Sequence, residues 1–209
     1  MSTLVVKKLN EINGKDFFSI QKEIKELSWN AIAASPWKVD FPYSPVAEFQ
    51  IGHTDSFVIL HYAVEEEFLK AQYTRSNENV WEDSCVEFFI SLDHKQTYYN
   101  FEFNILGTGL IGYGPAVKSE RRRLDSTVVD EVNTYTSVRK INGKKKWNLI
   151  LQIPKAIFSN TEWSGKTLHA NFYKCGDGLP TPHFIAWNMI DHPTPNFHRP
   201  EFFGELTVE

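Results

Sequence analysis

Apolar and polar residues alternate along most of the chain beyond residue 45. Between residues 85 and 91, for example, Val86, Phe88 and Ile90 share one side, and Glu87 lies on the other. This period of two is typical of a β-strand with one buried face. The pattern predicts nine such strands, at 46–51, 57–64, 86–91, 98–105, 134–141, 147–153, 168–174, 184–187 and 203–208.

The predicted strands are short, and turn residues such as those at 52–55 separate them. Only 154–158 has the character of a helical turn between strands, so the repeated crossover helices of a βαβ fold are missing. The first two strands form a hairpin in this scheme. We therefore predict an all-β protein with the architecture of an antiparallel β-sandwich.

The first 45 residues follow a different pattern. Four apolar side chains are spaced for one face of a short N-terminal helix: Phe17, Ile20, Ile24 and Leu27. The prolines within 36–45 remove backbone hydrogen-bond donors, which predicts irregular chain there. We accordingly expect residues 1–45 to be a helical and irregular extension packed on a sandwich domain of residues 46–209.

Composition adds an unusual aromatic content, with 16 Phe, 8 Tyr and 6 Trp making 14% of the chain. Such rings pack well on strands and also offer flat faces to ligands. The net charge of −4 gives no broad positive field. The two basic runs, 121–123 and 144–146, lack interleaved aromatic residues, so we expect no nucleic-acid binding.

The N-terminal segment lacks the apolar stretch of a signal peptide, and no apolar run approaches the roughly 20 residues of a membrane helix. As written, the chain is expected to be cytoplasmic and to have no membrane partner; a leader removed beforehand would make it periplasmic or extracellular. Cys85 and Cys175 are too few for a disulfide framework, and we expect two reduced buried thiols.

One strand face carries the candidate chemistry. Asn100, Glu102 and Asn104 alternate with aromatic residues, which places them on one face roughly 7 Å apart. Glu87 joins them if the neighbouring strand pairs alongside. Amides donate and accept hydrogen bonds and carboxylates accept them, so this face suits sugar hydroxyl groups. A solvated outer face is the alternative, although asparagine is depleted in ordinary strands.

Two tryptophans are placed to frame this face. Trp81 lies in a polar loop just before the Glu87 strand, and Trp187 ends the strand at 184–187. Indole rings stack on the apolar C–H faces of sugars. Tyr173 lies on the same side of its strand as Asn171 and extends the polar face. Lys174, the residue after Tyr173, then points inward, which is costly unless it is paired.

The segment 81–90 resembles the signature region of family 9 carbohydrate-binding modules, and most closely that of the single-domain family 9-like proteins of gut Bacteroidetes. Segments 98–104, 170–177 and 195–204 resemble further blocks of the same subfamily, in the same order.

That resemblance implies a DOMON-like sandwich that binds mono- or oligosaccharide ends between two tryptophans, beside a glutamate and amides. Trp81 and Glu87 match one tryptophan and the glutamate through their six-residue spacing, and Trp187 is matched to the second. Structural calcium is also implied, with no ligands assigned.

Catalysis is the main alternative to binding. Glu87 and Glu102 could form the carboxylate pair of a glycoside hydrolase, whose separation decides the mechanism. The histidines show no metal-binding spacing. We assign no catalytic and no metal-binding residue, and a protein-interaction sandwich is a third possibility. The turn at 176–178 and the segment 198–201 either border the site or serve only the fold.

Overall fold

The computed structural model describes residues 2–12, 17–159 and 162–209. This described part contains two α-helices, Phe17–Ile24 (α1) and Ser126–Val129 (α2), and short 3-10 helices at Val80–Glu82, Lys118–Glu120, Lys155–Ile157 and Pro200–Phe202. Its thirteen strands are Thr3–Lys8 (β1), Asn30–Ala31 (β2), Val46–His53 (β3), Phe57–Glu66 (β4), Cys85–Ser91 (β5), Tyr98–Asn104 (β6), Gly109–Gly114 (β7), Arg122–Arg123 (β8), Asn133–Ile141 (β9), Lys144–Pro154 (β10), Thr167–Cys175 (β11), Phe184–Ala186 (β12) and Gly204–Val208 (β13).

The strands form two sheets that meet at β1. Sheet I has the order β8-β7-β6-β5-β11-β13-β1, and sheet II has the order β1-β3-β4-β10-β9. The short strands β12 and β2 pair with β11 and β3. Thr3–Val6 pairs in parallel with β13, and Lys7–Lys8 pairs in parallel with β3. Pairing among the other strands is antiparallel, as expected.

The main core lies between the two sheets. Phe49 of sheet II stacks on Phe172 of sheet I with ring centroids 3.7 Å apart. The hydroxyl group of Tyr62 donates to the backbone carbonyl of Glu87 across the interface, at 3.1 Å. Val86, Phe88 and Ile90 belong to this core, which confirms the inward face assigned from alternation. The β-sandwich class is therefore confirmed.

Helix α1 covers part of the outer face of sheet II. Ile20 and Ile24 are buried there, packed with Leu27 against Ile59 and Ile150. The predicted helix is thus present, although it ends at Ile24. No helix in the described ranges has both the length and the apolar character needed to cross a membrane.

Each of the nine predicted strands is present, with small differences at the ends. Four further strands, β1, β2, β7 and β8, were not predicted. The description of residues 1–45 as helical and irregular was incomplete, because β1 joins the two sheets. In β1 only Val6 is fully buried, so the segment lacks the alternation that identifies a strand.

Candidate functional site

The outer face of sheet I forms the floor of a pocket of about 620 Å³. Glu87 of β5 and Glu102 of β6 are directly opposed in the strand register, and Asn100 lies two residues along β6. These three side chains, the polar floor, are each at least 94% buried yet line the pocket. The amide of Asn100 donates to Oε1 of Glu102 at 2.8 Å. The predicted convergence of the three is therefore present.

Strand β7 is shaped to leave room for this floor. Gly112 is opposite Asn100 in the register, and a Cβ at position 112 would lie 2.3 Å from Oδ1 of Asn100. Such a separation is far below van der Waals contact, so only glycine permits the present position of the amide. The glycine-rich β7 strand is thus part of the site.

Trp81 forms one wall of the pocket. It lies in the 3-10 helix Val80–Glu82, which the buried Val80 side chain anchors to the sheet. The backbone N–H of Asp177 donates to the carbonyl oxygen of Trp81 at 3.1 Å, and the N–H of Gly178 donates to that of Glu82. The turn at 176–178 therefore holds the tryptophan loop, and Asp177 itself lines the pocket.

A second wall consists of Phe184 and the segment 194–198, which includes Phe197. Tyr173 is fully buried behind it, stacked on Phe197 with ring centroids 4.1 Å apart and planes inclined by 9°. Its hydroxyl group donates to the Phe197 carbonyl at 3.2 Å. Tyr173 therefore lies on the same face as Glu87, its register partner, as predicted, but it supports the aromatic wall and does not line the pocket.

A third wall is basic. It comprises Lys118, Arg121, Arg122 and Arg123, which we call the basic wall. None of these residues was predicted as a site residue, because no pattern in the sequence links the segment 118–123 to the floor strands. Their contribution depends on β8 pairing with β7 beside the floor, and β8 has only two residues. The basic run itself was the one available signal.

Burial controls the ionisation of the two floor carboxylates. It raises the pKa of Glu87 well above its ordinary value, and the neighbouring Cys175 and Glu102 raise that pKa further. Burial also raises the pKa of Glu102 to about 7, against the lowering effects of the Asn100 hydrogen bond and of Arg123. Near neutral pH the floor therefore presents both proton donors and proton acceptors.

Two rim residues are also perturbed. Burial raises the pKa of Asp177 to about 6. Burial, together with Arg121 and Lys118, lowers the pKa of His198 to about 4, so its imidazole is neutral at pH 7. Nδ1 of His198 lies 2.9 Å from the hydroxyl group of Tyr98. The segment 198–201 thus borders the pocket through His198, one of the two interpretations left open by the sequence.

Beneath the floor, Cys85, Glu87 and Cys175 bring their ligand atoms within 4.8 Å of one another. Both cysteines are buried free thiols, and that of Cys175 donates to Oε1 of Glu87 at 3.1 Å. Burial raises the pKa of Cys85 to about 11. Calcium prefers oxygen ligands, so a group with two sulfur atoms does not fit the calcium that the resemblance implies.

Asn104 and Trp187 lie away from the pocket. The Asn104 amide donates to the Tyr73 carbonyl at 2.8 Å and to Asp83 at 2.9 Å, and its oxygen accepts from the N–H groups of Leu106 and Thr108. Its polar atoms are thus used within the fold.

Trp187 packs edge-on against Phe49 and Phe172 on the core side of sheet I. Its predicted role as the second framing tryptophan is not supported by this position. The aromatic residues that line the pocket together with Trp81 are Phe184 and Phe197.

Comparison with known proteins places this geometry in a family. Residues 17–208 match the sequence profile of carbohydrate-binding family 9. The chain belongs to that family. A crystal structure of a protein from Bacteroides uniformis that is inferred to bind carbohydrate is 35% identical; the match covers 100% of this chain and 99% of that chain, with a TM-score of 0.89.

More distant family 9 structures share the fold. A module from Caldicellulosiruptor kristjanssonii, solved with glucose and with cellotriose, gives TM-scores of 0.60 and 0.59 at 13% identity; the matches cover this whole chain and 96% and 94% of those chains. An extracellular protein of the fungus Arthroderma benhamiae is 22% identical over 197 residues, 85% of this chain and 86% of its own length.

Proposed function

We propose that this family 9 protein binds a mono- or oligosaccharide in the described pocket and does not convert it. The observation that carries the proposal is the convergence of Trp81, Glu87, Asn100 and Glu102 on one cavity. A pocket with a few converging polar groups beside aromatic walls is the usual form of a small-ligand site. Membership of a carbohydrate-binding family supports a sugar as the ligand.

The walls and the floor of the pocket contact different parts of the sugar. The Trp81 indole stacks on an apolar C–H face of the sugar ring, and Phe184 and Phe197 contact it from the second wall. The polar floor exchanges hydrogen bonds with the hydroxyl groups. Because Arg121 and Glu102 already orient Asn100, these donors and acceptors are fixed before the ligand arrives.

Glycoside hydrolysis is the second candidate, since two carboxylates with raised pKa values share the pocket. Glu87 and Glu102 are register neighbours that point to the same side of sheet I. Both therefore approach a ligand from below, whereas a hydrolase places its two carboxyl groups across the scissile bond. This arrangement favours binding over cleavage.

Substitution of Trp81 tests the binding site. We expect Trp81→Ala to weaken sugar binding at least about 30-fold in titration calorimetry, because a central aromatic contact contributes on the order of 2 kcal/mol or more. The matched control is Trp29→Ala. Trp29 is 42% exposed and contacts His61 of sheet II, far from the floor strands in the sheet order. Equal affinities for wild type and Trp81→Ala would refute the site.

Turnover assays separate binding from hydrolysis. We expect no release of aryl alcohol from a panel of aryl α- and β-glycosides by the wild-type protein. Turnover that disappears in Glu87→Gln and in Glu102→Gln would instead establish the hydrolase.

A further inference from the structure

No ion pair joins the basic wall of the pocket to a carboxylate in the described part of the chain. Lys118, Arg121, Arg122 and Arg123 line the cavity, and the ion pairs found among the described residues involve other side chains. Glu120 lies in the same segment but does not line the pocket. Four like charges concentrated on one side of a concave site create a local positive potential, despite the net charge of −4.

Arg121 is fixed in position. Its guanidinium group donates to the carbonyl oxygens of Gly114 at 2.6 Å, Pro115 at 2.8 Å and Tyr98 at 3.2 Å, and to the side-chain oxygen of Asn100. It also lies 3.8 Å from the centre of the Tyr98 ring. None of these partners is a carboxylate, so the positive charge of Arg121 is held beside the floor without a direct ion pair, and Glu102 acts on it only through space.

The side chains of Lys118 and Arg122 are exposed, and neither donates a hydrogen bond within the described ranges. The Arg122 guanidinium lies 5.9 Å from the Tyr113 ring, a contact that leaves its hydrogen-bonding edge available. Arg123 lies 5.5 Å from the Trp81 ring and donates to the Asn77 carbonyl. A planar guanidinium binds a carboxylate or a sulfate through two parallel hydrogen bonds.

Three acidic residues line the pocket: Glu87, Glu102 and Asp177. Together they carry less negative charge than three fully ionised carboxylates would. Burial raises the pKa of Glu87 well above its ordinary value, and the pKa of Glu102, at about 7, leaves that group partly protonated at neutral pH. Asp177, with a pKa of about 6, is mostly ionised. Arginine and lysine remain charged at this pH. Positive charge therefore exceeds negative charge among the residues that line the pocket.

We propose that the pocket prefers a saccharide bearing an anionic substituent, a uronic acid or a sulfated sugar, over the neutral sugar of the same stereochemistry. The inference rests on the proposed sugar-binding function and adds the class of ligand. The sugar ring lies on the polar floor beside Trp81, and its carboxylate or sulfate is directed at Arg122 and Lys118.

Titration calorimetry with matched probes tests the preference. The probes are the methyl glycosides of glucose, galactose and mannose, their uronic acid forms and their 6-sulfates, with inorganic sulfate as the free anion. We expect at least one anionic sugar to bind about tenfold more tightly than its neutral counterpart. Raising the salt concentration from about 0.05 M to about 0.5 M should reduce this ratio, because the wall is exposed.

Removal of two positive charges from the basic wall tests whether this wall causes the preference for anionic sugars. The double variant Lys118→Gln/Arg122→Gln should lower the ratio of anionic to neutral affinity about fivefold or more, as expected for the loss of two exposed charge contacts. The matched control is Arg139→Gln/Lys140→Gln on β9, which removes the same charge from an exposed strand of sheet II. The control should leave the ratio unchanged.

The outcomes separate this inference from the proposed function. Neutral sugars that bind as tightly as their anionic forms would overturn the inference and leave the binding function intact. So would an unchanged ratio in the Lys118/Arg122 variant, or inorganic sulfate that competes as well as the sulfated sugars. If no probe binds and Trp81→Ala changes nothing, the proposed function fails and the inference fails with it.

Discussion

Asn100 and Asn104 show how far apart the roles of two residues on one strand face can be. Both are buried amides on β6, four positions apart. Asn100 is oriented by Arg121 and Glu102 at the edge of the pocket. The polar atoms of Asn104 are all hydrogen-bonded to backbone and side-chain groups of the fold, including Tyr73 and Asp83 on either side of Trp81 in the chain. One contributes a surface to ligand binding, and the other holds the chain that carries Trp81.

We expect opposite responses to alanine at these two positions. Asn104→Ala leaves several buried groups without partners and should lower the free energy of unfolding by about 2–3 kcal/mol, while the folded protein keeps its affinity for sugar. Asn100→Ala should weaken sugar binding about tenfold. Denaturant unfolding measures the stability of both variants, and titration calorimetry measures their affinity for sugar. A loss of affinity in Asn104→Ala under conditions in which this variant is fully folded would contradict the prediction.

Alternation predicted which face of a strand each residue occupies, but not which residues of that face line the pocket. Alternation placed Glu87, Asn100 and Glu102 correctly on the outer face. Applied to β12, the same rule would have put Phe184 outward and Trp187 inward, as the structure has them. Trp187 was chosen because it is a tryptophan. Which partners consume the Asn104 amide depends on tertiary contacts that no local pattern encodes.

At the scale of elements, β7 decides whether the floor can exist. The close approach of Gly112 to Asn100 means that a methyl group at position 112 must displace the amide or distort β7.

We expect Gly112→Ala to weaken sugar binding and to lower the free energy of unfolding by about 1–3 kcal/mol, as is usual for overpacking. In an Asn100→Ala background the stability cost should largely disappear, because the clash is gone. If Gly112→Ala lowers the free energy of unfolding equally in the Asn100→Ala background, the added methyl group clashes with another part of β7 and not with Asn100.

The inward-pointing Lys174 on β11 is paired, as the sequence required. Its ammonium group lies 2.9 Å from Oε2 of Glu66 and 2.8 Å from Nε2 of His183, in full burial. The indole N–H of Trp147 donates to the other oxygen of Glu66 at 2.7 Å. The sandwich interior therefore contains one enclosed charge pair.

Lys174→Met should lower the free energy of unfolding by about 3–5 kcal/mol, because it leaves the Glu66 carboxylate buried without its counter-charge. The double variant Lys174→Met/Glu66→Gln should recover part of this loss. Urea unfolding of the three proteins measures the difference, and a double variant less stable than Lys174→Met alone would contradict the explanation.

Elements with regular alternation were predictable, and those held by their neighbours were not. Strands β3 to β6, β10 and β11 each combine a core face with an outer face, so their sequences reveal them. The glycine content of β7 and the brevity of β8 conceal these two strands, of which β7 pairs with the edge of β6 and β8 in turn pairs with β7. The basic wall depends on β8, and its place beside the floor was hidden for that reason.

For the whole molecule, the buried carboxyl groups make stability depend on pH. The pKa of Glu102 is near 4.5 in an unfolded chain and about 7 in the fold, so the folded state binds the proton more tightly. This contribution is fully present below pH 4.5 and is lost as the pH rises through 7. His183 and His198, whose pKa values fall to about 3 and about 4, act in the opposite direction.

Comparison with Glu102→Gln isolates the carboxyl group, because both proteins keep the two histidines. The stability of the wild type relative to this variant should fall between pH 4.5 and pH 7, by on the order of 3 kcal/mol at most. Chemical unfolding at several pH values measures the difference. A difference in the free energy of unfolding that stays constant across this range would show that Glu102 keeps its ordinary pKa in the folded protein.

Strand β1, which joins the two sheets, affects how the protein folds during synthesis. Thr3 pairs with Glu205, about 200 residues later in the chain, whereas β3 and β4 form a local hairpin. Pairing over such a distance is slow, since the loop must close before the contact is gained. During synthesis sheet II can therefore assemble on the ribosome while the first half of β1 still exposes an unpaired edge. We expect this nascent intermediate to be the form that chaperones hold and the one most prone to aggregate, until β13 emerges and completes sheet I.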